Sequence, residues 1–213
     1  TDICGNSSSC VQVITVDDST PPVITCPADL TVECDAANDP DATGYATATD
    51  NCSADNEITI TWSDVSTQGT TDCDQYEYTI TRTWTATDIC GNSSSCVQVI
   101  TVDESTPPVI TCPADLTVEC DAANDPDATG YATATDNCSA DNEITITWSD
   151  VSTQGTTDCD QYEYTITRTW TATDICGNSS SCVQVITVDD STPPVITCPA
   201  DLTVECDAAN DPD

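Results

Sequence analysis

Carboxylates and cysteines are the side chains of this sequence that could do chemistry. The 213 residues include 38 Asp and Glu and 16 Cys, against two Arg and neither Lys nor His, for a formal net charge of −36. Without His or Lys, a Ser-His-Asp triad, a His-ligated metal and Schiff-base catalysis are excluded. Because acidic pairs follow here from composition alone, we expect no enzyme. The charge also disfavours nucleic acid and anionic membranes as partners and favours a cation.

An internal repeat of 86 residues organises these groups. Residues 1–6 recur at 87–92 and at 173–178, and the complete copies differ only at Asp18 and Glu104. A unit of this length suits one small domain and is too long for a solenoid turn. The sequence therefore predicts complete repeats at 17–102 and 103–188. Residues 1–16 are interpreted as the C-terminal strand of a preceding repeat and residues 189–213 as the N-terminal part of a following one.

Strand periodicity dominates each unit. In residues 78–87 every second residue is Thr, and mostly apolar residues lie between. Similar short runs, each bounded by turn residues, begin near residues 23, 30, 45, 58 and 97. Six or seven short strands per unit predict an all-β fold of tandem immunoglobulin-like or fibronectin-III-like antiparallel β-sandwiches, arranged as beads on a string.

The strand parity also sorts the large side chains of residues 58–87. Trp62, Tyr78 and Trp84 share the apolar parity and are expected in the core. Arg82 has the same parity, so we expect it either buried against an acid such as Glu57 or laid across an indole ring.

Two segments at domain spacing resemble the hyalin-repeat (HYR) family. They are Pro-Pro-Val-Ile-Thr-Cys-Pro at 21–27 and Thr-Trp-Thr-Ala-Thr-Asp-Ile-Cys-Gly-Asn-Ser-Ser-Ser-Cys at 83–96. The resemblance covers the whole unit and implies an immunoglobulin-like fold in extracellular proteins, often in tandem and associated with adhesion. It also implies one cysteine pair, matching Cys26 and Cys96. The four other cysteines of each unit depart from the usual family pattern.

Six cysteines per unit allow 15 pairings, among which sequence alone does not choose. If the sandwich topology is assumed, cysteines that lie near the same pole of a repeat should pair. This predicts Cys26–Cys96, Cys34–Cys73, Cys52–Cys90, Cys112–Cys182, Cys120–Cys159 and Cys138–Cys176. Cys4, Cys10, Cys198 and Cys206 are left over. The sequence has no CxxC pair, which is the cysteine spacing typical of a zinc site. We therefore expect oxidised disulfide bridges and an extracellular, cell-surface location.

The same topology gathers acids where one repeat meets the next, with no basic residue in the loops concerned. Six to eight oxygen ligands suit Ca²⁺, which would offset the repulsion between the carboxylates. We therefore predict structural Ca²⁺ at each joint, with main-chain carbonyls or Asn137 and Asn178 completing the coordination shell. The predicted ligands are Asp103, Glu104, Asp136 and Asp174, and upstream Asp17, Asp18, Asp50 and Asp88. The alternative is that the acids serve solubility alone.

Five N-glycosylation sequons add an acceptor for glycan, at Asn6, Asn51, Asn92, Asn137 and Asn178. The sequence as a whole predicts a structural segment of an extracellular, surface-attached fibre or stalk, whose partners are neighbouring identical repeats of the same longer chain. Lateral homo-assembly into a filament stays open. The alternative function is an adhesin whose repeats themselves bind glycan or a cell-surface partner. No membrane insertion is expected in this segment.

Overall fold

The computed structural model describes residues 1–203, and its elements repeat with the 86-residue period. The first repeat contains six strands and one helical turn: β1 Val23–Thr25, β2 Leu30–Glu33, α1 Pro40–Thr43, β3 Thr47–Thr49, β4 Thr59–Ser66, β5 Tyr78–Thr87 and β6 Ser93–Asp103. The second contains β7 Val109–Thr111, β8 Leu116–Glu119, α2 Pro126–Thr129, β9 Thr133–Thr135, β10 Thr145–Ser152, β11 Tyr164–Thr173 and β12 Ser179–Asp189. Short 3-10 turns lie at Asp55–Glu57, Asp72–Gln75, Asp141–Glu143 and Asp158–Gln161.

Each repeat has a two-stranded and a four-stranded sheet. In the first repeat β1 pairs antiparallel with β3, and the larger sheet has the order β2-β6-β5-β4. The predicted class, all-β tandem immunoglobulin-like sandwiches, is confirmed. One pairing departs from the antiparallel expectation, because β2 runs parallel to β6. Pro27, which has no N–H to donate, follows β1, and the chain then crosses to the second sheet and runs beside its last strand.

Backbone contacts divide the chain into two compact units that do not coincide with the repeats. The first unit comprises Thr1–Thr111, Thr133–Thr147 and Thr171–Ser181. The second comprises Cys112–Ala132, Trp148–Trp170 and the chain from Cys182. The loops that follow β9 and β11 thus belong with the first repeat. The junction between the two repeats therefore lies inside the first unit.

The core of the first repeat forms on the inward face of the larger sheet. Ile80, Ile100 and Val102 are buried together, and Leu30 and Val32 pack against them. Trp84 is fully buried beside Gln98, whose side-chain amide donates to the main-chain oxygens of Ala28 and Thr43 at 3.1 and 2.9 Å. In the second unit Ile166, Ile186 and Val188 form the equivalent cluster.

Arg82 is 2% exposed and carries the only ion pair of the first repeat within the described residues. Its Nε and Nη2 donate to the two carboxylate oxygens of Asp64 at 2.8 Å each, and its Nη1 donates to Thr43 Oγ1 at 2.8 Å. Its Cζ also lies 6.0 Å from the Trp84 ring centroid. The expectation of a buried, acid-paired Arg holds, but the acid is Asp64 and not Glu57, because β4 and β5 place Asp64 directly opposite.

Trp62 is 49% exposed, so its assignment to the core is wrong. It lies on β4, the edge strand of the larger sheet. Its ring still packs on Trp84 with centroids 5.6 Å apart, and Tyr45 closes the cluster at 6.5 Å. An edge strand lacks a neighbour on one side, so part of its aromatic surface stays wet.

The segments outside the repeats contain no strand within residues 1–22 and 190–203. Residues 1–16, expected to be the C-terminal strand of a preceding repeat, form no strand here, and their assignment to such a repeat stays a prediction. The counterpart of these residues, β6, is held between β2 and β5, and residues 1–16 pair with no such strands. Residues 189–203 carry the first part of the segment assigned to a following repeat, and residues 204–213 lie outside the described residues. The helices between residues 1 and 203 are single turns, none with the length and apolarity to cross a bilayer.

Candidate metal centre and disulfide joint between the repeats

One disulfide closes each repeat internally. Cys26, just after β1, is bonded to Cys96 on β6 with Cα atoms 5.9 Å apart, and Cys112–Cys182 has the same Cα separation. Both agree with the expected pairing. Each bond ties the two-stranded sheet to the four-stranded sheet, where a small sandwich has little core of its own.

Two further disulfides cross from one repeat to the next. Cys34 bonds Cys138 and Cys73 bonds Cys176, with Cα separations of 6.2 and 4.8 Å. Both separations lie in the range that a disulfide can bridge, about 4.4–6.8 Å. We call the region around these two bonds the joint. The predicted pairs Cys34–Cys73 and Cys138–Cys176 are therefore wrong.

Sheet order explains why Cys34 and Cys73 do not meet. Cys34 follows β2, at one edge of the order β2-β6-β5-β4, whereas Cys73 lies in the connection between β4 and β5 at the other edge. Strands are spaced by about 4.8 Å, so at least two spacings separate the cysteines. The facing loops of the next repeat bring a partner to each of them instead.

Four cysteines that were expected to pair are unbonded in the structure: Cys52, Cys90, Cys120 and Cys159. The predicted bonds Cys52–Cys90 and Cys120–Cys159 are thus absent. At the joint, the cysteines in the equivalent positions bond to the other repeat and not within their own. Of the leftover cysteines, Cys4, Cys10 and Cys198 are also free, and Cys206 lies outside the described residues.

Three carboxylates converge at the upstream end of the first repeat. One oxygen from each of Asp18, Asp50 and Asp88 lies within 4.8 Å of the others, and we call this group the upstream cluster. Asp50 Oδ1 accepts the N–H groups of Cys52 and Ser53, both at 2.8 Å, and these bonds lower the pKa of the carboxyl. The loops thus hold three carboxylates whose oxygens converge on one spot.

The joint holds the counterparts of these residues, Glu104, Asp136 and Asp174, which we call the joint cluster. In the described part of the chain, the oxygens of these three residues do not converge as the upstream three do: Glu104 lies close to Asp136, and Asp174 neighbours Glu104. Asp136 Oδ1 accepts the N–H groups of Cys138 and Ser139 at 2.9 and 2.8 Å. Glu104 is 2% exposed and lies within reach of Asp136. Burial, with a contribution from neighbouring Asp174, raises the pKa of Glu104 to about 7. Glu104 therefore binds a proton far more readily than an ordinary carboxyl, chiefly because it is buried.

Both clusters contain buried carboxylate oxygens that have no hydrogen-bond partner. Asp18 Oδ2 and Asp50 Oδ2 are buried without a hydrogen-bond partner, as are Asp136 Oδ2 and Asp174 Oδ2. A buried, unpartnered carboxylate oxygen is costly unless a donor or cation satisfies it. The ligand atoms available are all hard oxygens, which suit Ca²⁺. The residues present therefore fit the expected cation.

Not every predicted ligand joins a cluster. Asp17 is exposed and Asp103 is half-buried in β6, and neither belongs to a group of converging acids in residues 1–203. Successive side chains of an extended segment point to opposite sides, so Asp18 and Glu104 turn inward in place of their neighbours. Asn178 reaches the joint cluster, where its Nδ2 donates to Glu104 Oε2 at 2.6 Å. Asn137 instead lies against the sulfur of Cys138.

The asparagines of the sequons also differ in their surroundings. The Nδ2 atoms of Asn92 and Asn178, where a glycan would attach, donate to the main-chain oxygens of Asp18 and Glu104, each at 3.0 Å. Asn6 donates to Asp2, and Asn51 and Asn137 are exposed.

Glu143 is a joint residue that sequence reasoning missed. Its two carboxylate oxygens accept from Gln75 Nε2 at 2.9 Å and from the Tyr76 hydroxyl at 2.8 Å, across the joint. The N–H of Ala140 and these two donors lower the pKa of Glu143. The sequence carries no local signal for this contact, since it exists only when two repeats are docked.

No family model matches the chain, and no curated protein matches it. Among solved structures it is similar to protocadherin gammaB7 EC3-6, a cis-dimer structure (20% identity, TM-score 0.36), covering 80% of this chain and 48% of that one. It is also similar to Drosophila N-cadherin EC1-4, with 15% identity and a TM-score of 0.34 over 80% of this chain and 50% of that one. Mouse cadherin-23 EC22-24 has 17% identity and a TM-score of 0.36 over 79% of this chain and 66% of that one. The chain spans about half the length of the first two. Likenesses this distant carry no functional argument, and the fold follows from the strand pairing described above.

Proposed function

We propose that this chain is a structural segment of an extracellular, surface-attached fibre or stalk, built from HYR-type immunoglobulin-like repeats that disulfides and Ca²⁺ hold end to end. The role is mechanical and needs no catalytic site. The bonded cysteines support an oxidising, extracellular location, because such bonds are rare in reducing compartments.

The joint is the observation that carries this proposal. Two disulfides, the Glu143 hydrogen bonds and the joint cluster all act between repeats and not inside one. A binding module needs only one good site, whereas the contacts described here fix one repeat to the next. The buried, unpartnered oxygens of Asp136 and Asp174 support a cation as a further contact between the repeats.

Calcium titration of the metal-free chain tests the proposal. We expect calorimetry to show binding and thermal unfolding to shift upward, because a ligand that binds only the folded state stabilises it by about 2.7 kcal/mol at 100 times its Kd. Mg²⁺ should act more weakly, since it prefers a smaller octahedral shell.

Asp136→Asn should weaken the calcium response, because it removes one orphaned carboxylate and keeps the side-chain shape. The matched control is Asp141→Asn, which removes the same charge from an exposed residue outside the clusters. An absent calcium response, or equal effects of the two variants, would refute the calcium part of the proposal.

Lateral assembly is a second candidate role, favoured by the outer face of the larger sheet. Along β4, β5 and β6 the outward positions up to Thr101 are all Ser, Thr or Val, and none is charged, although the chain has 38 acids. Val65 and Val97 on this face are 70% and 52% exposed. Highly anionic copies could approach one another through this face with the least repulsion.

An adhesin is the alternative to a stalk, and repeat number separates the two. A stalk keeps constant ligand affinity as copies are added, whereas a binding array gains avidity. Affinity for immobilised glycan or cell surfaces, measured on chains with increasing numbers of repeats, makes the distinction.

A further inference from the structure

Two pairs of free cysteines occupy positions equivalent to those of the bonded cysteines on the two sides of the joint. Cys52 and Cys90 occupy the positions of Cys138 and Cys176 one repeat earlier, and we call them, with Glu57, the upstream half. The downstream half consists of Cys120 and Cys159, the counterparts of Cys34 and Cys73, together with Gln161 and Tyr162.

The joint shows how such halves fit together. There the counterparts of the two halves form two disulfides, and the counterpart of Glu57 accepts from Gln75 and Tyr76. Among the residues named here the two repeats have the same sequence. Each half therefore carries the complete side-chain set of one side of a known contact.

Within residues 1–203, exposure indicates that neither half contacts a partner repeat. Tyr162 is 47% exposed, whereas its counterpart Tyr76 is half-buried under Glu143. Glu57 accepts from the N–H of Ala54 in its own repeat, but from no side chain of another repeat in the part of the chain that the structure describes. Cys52, Cys90 and Cys159 are exposed.

We infer that the downstream half binds the upstream half of a second copy of this repeat, forming Cys120–Cys52 and Cys159–Cys90 bonds between copies. Each bond joins two sulfurs with loss of two protons and two electrons. A small-molecule disulfide accepts them by thiol–disulfide exchange and leaves as two thiols. The two surfaces differ, so the contact is heterologous and adds copies head to tail.

The inference extends the proposed end-to-end role to a specific covalent partner, but it does not depend on calcium. The competing arrangement bonds Cys52 to Cys90 and Cys120 to Cys159 within one chain. The joint argues against it, since Cys138 and Cys176 each choose a partner from the other repeat.

Two complementary variants of the full chain test the inference, both in a background with Ser at Cys4, Cys10, Cys198 and Cys206. The first, C120S/C159S, keeps only the upstream half, and the second, C52S/C90S, keeps only the downstream half. With oxidised glutathione as oxidant, each alone should stay at 22.4 kDa. Mixed one to one, they should give a covalent dimer of twice that mass, which a reductant returns to monomer.

Peptide mapping of the dimer should find Cys120 linked to Cys52 and Cys159 linked to Cys90. Dimer from either variant alone, or Cys52–Cys90 bonds within the first variant, would overturn the inference. Adding Glu57→Gln to the first variant should slow dimer formation about tenfold, because a charge-assisted contact is worth about 1.5 kcal/mol. Asp55→Asn, an equal charge change two residues away, should not.

Running the mixture in calcium and in chelator keeps this inference separate from the calcium proposal. Dimer in both conditions supports the covalent contact whatever the outcome of the metal titration. No mapped cross-copy bond in either condition refutes the covalent contact and leaves the metal titration unaffected.

Discussion

Removing the Cys73–Cys176 bond should destabilise the joint more than any single hydrogen bond within it. The double variant C73S/C176S opens a loop of 103 residues. In the chain-entropy account a loop of that length contributes about 4.7 kcal/mol through the unfolded state. The three other disulfides already shorten this loop, so we expect a loss of about 3–4 kcal/mol.

The assay is urea unfolding followed by tryptophan fluorescence and by far-UV circular dichroism, with calcium fixed. The control is C52S/C90S, which removes two cysteines that are free in the structure. It should change the free energy of unfolding by less than about 0.5 kcal/mol, as surface substitutions do. If C73S/C176S unfolds like the control, the bond does not restrain the unfolded chain and the reasoning fails.

Three further substitutions probe the Arg82 ion pair, the hydrogen bonds of Glu143 across the joint, and the joint cluster. Arg82→Gln should cost about 3–5 kcal/mol in thermal or urea unfolding, because it leaves Asp64 without its buried partner; an unchanged midpoint would contradict a structural role. Glu143→Gln should lower the stability of the joint by about 1–2 kcal/mol, whereas Glu57→Gln, its counterpart without a docked repeat, should be neutral in the same assay. Glu104→Asp recreates the upstream cluster at the joint, so calorimetry should show calcium affinities at the two sites drawing together; affinities that move apart would count against equivalent sites.

Much of the fold could be predicted because strand periodicity is a local property. Alternation around Trp84 identified β5 and its inward face, and the acids of the upstream cluster followed from placing loops on a sandwich. The exposed ring of Trp62 could not be predicted in this way, since parity gives the face of a strand and not its place at a sheet edge.

The disulfides across the joint were beyond prediction for a different reason. Six cysteines per repeat are compatible both with bonds within a repeat and with bonds between repeats. Only the geometry of two docked repeats distinguishes these two patterns. Cys34 was assigned to Cys73 because both lie toward the same neighbour, but the sheet holds them at opposite edges. Glu143 was missed because its partners belong to the other repeat.

The bonds Cys26–Cys96 and Cys112–Cys182 also decide how the chain would respond to pulling. Tension that enters near Cys26 passes through the bond to Cys96, follows the backbone to Cys112 and leaves through Cys182. Only the backbone from position 96 to position 112 carries the load, and its 16 residue-to-residue steps span about 55 Å when fully extended, against about 300 Å for an 86-residue repeat. Of the two sandwiches, only β7 and the part of β6 from Cys96 onward lie on this path, so most of each repeat is shielded from tension while the bonds are oxidised. Reduction would expose the whole length of each repeat to the load.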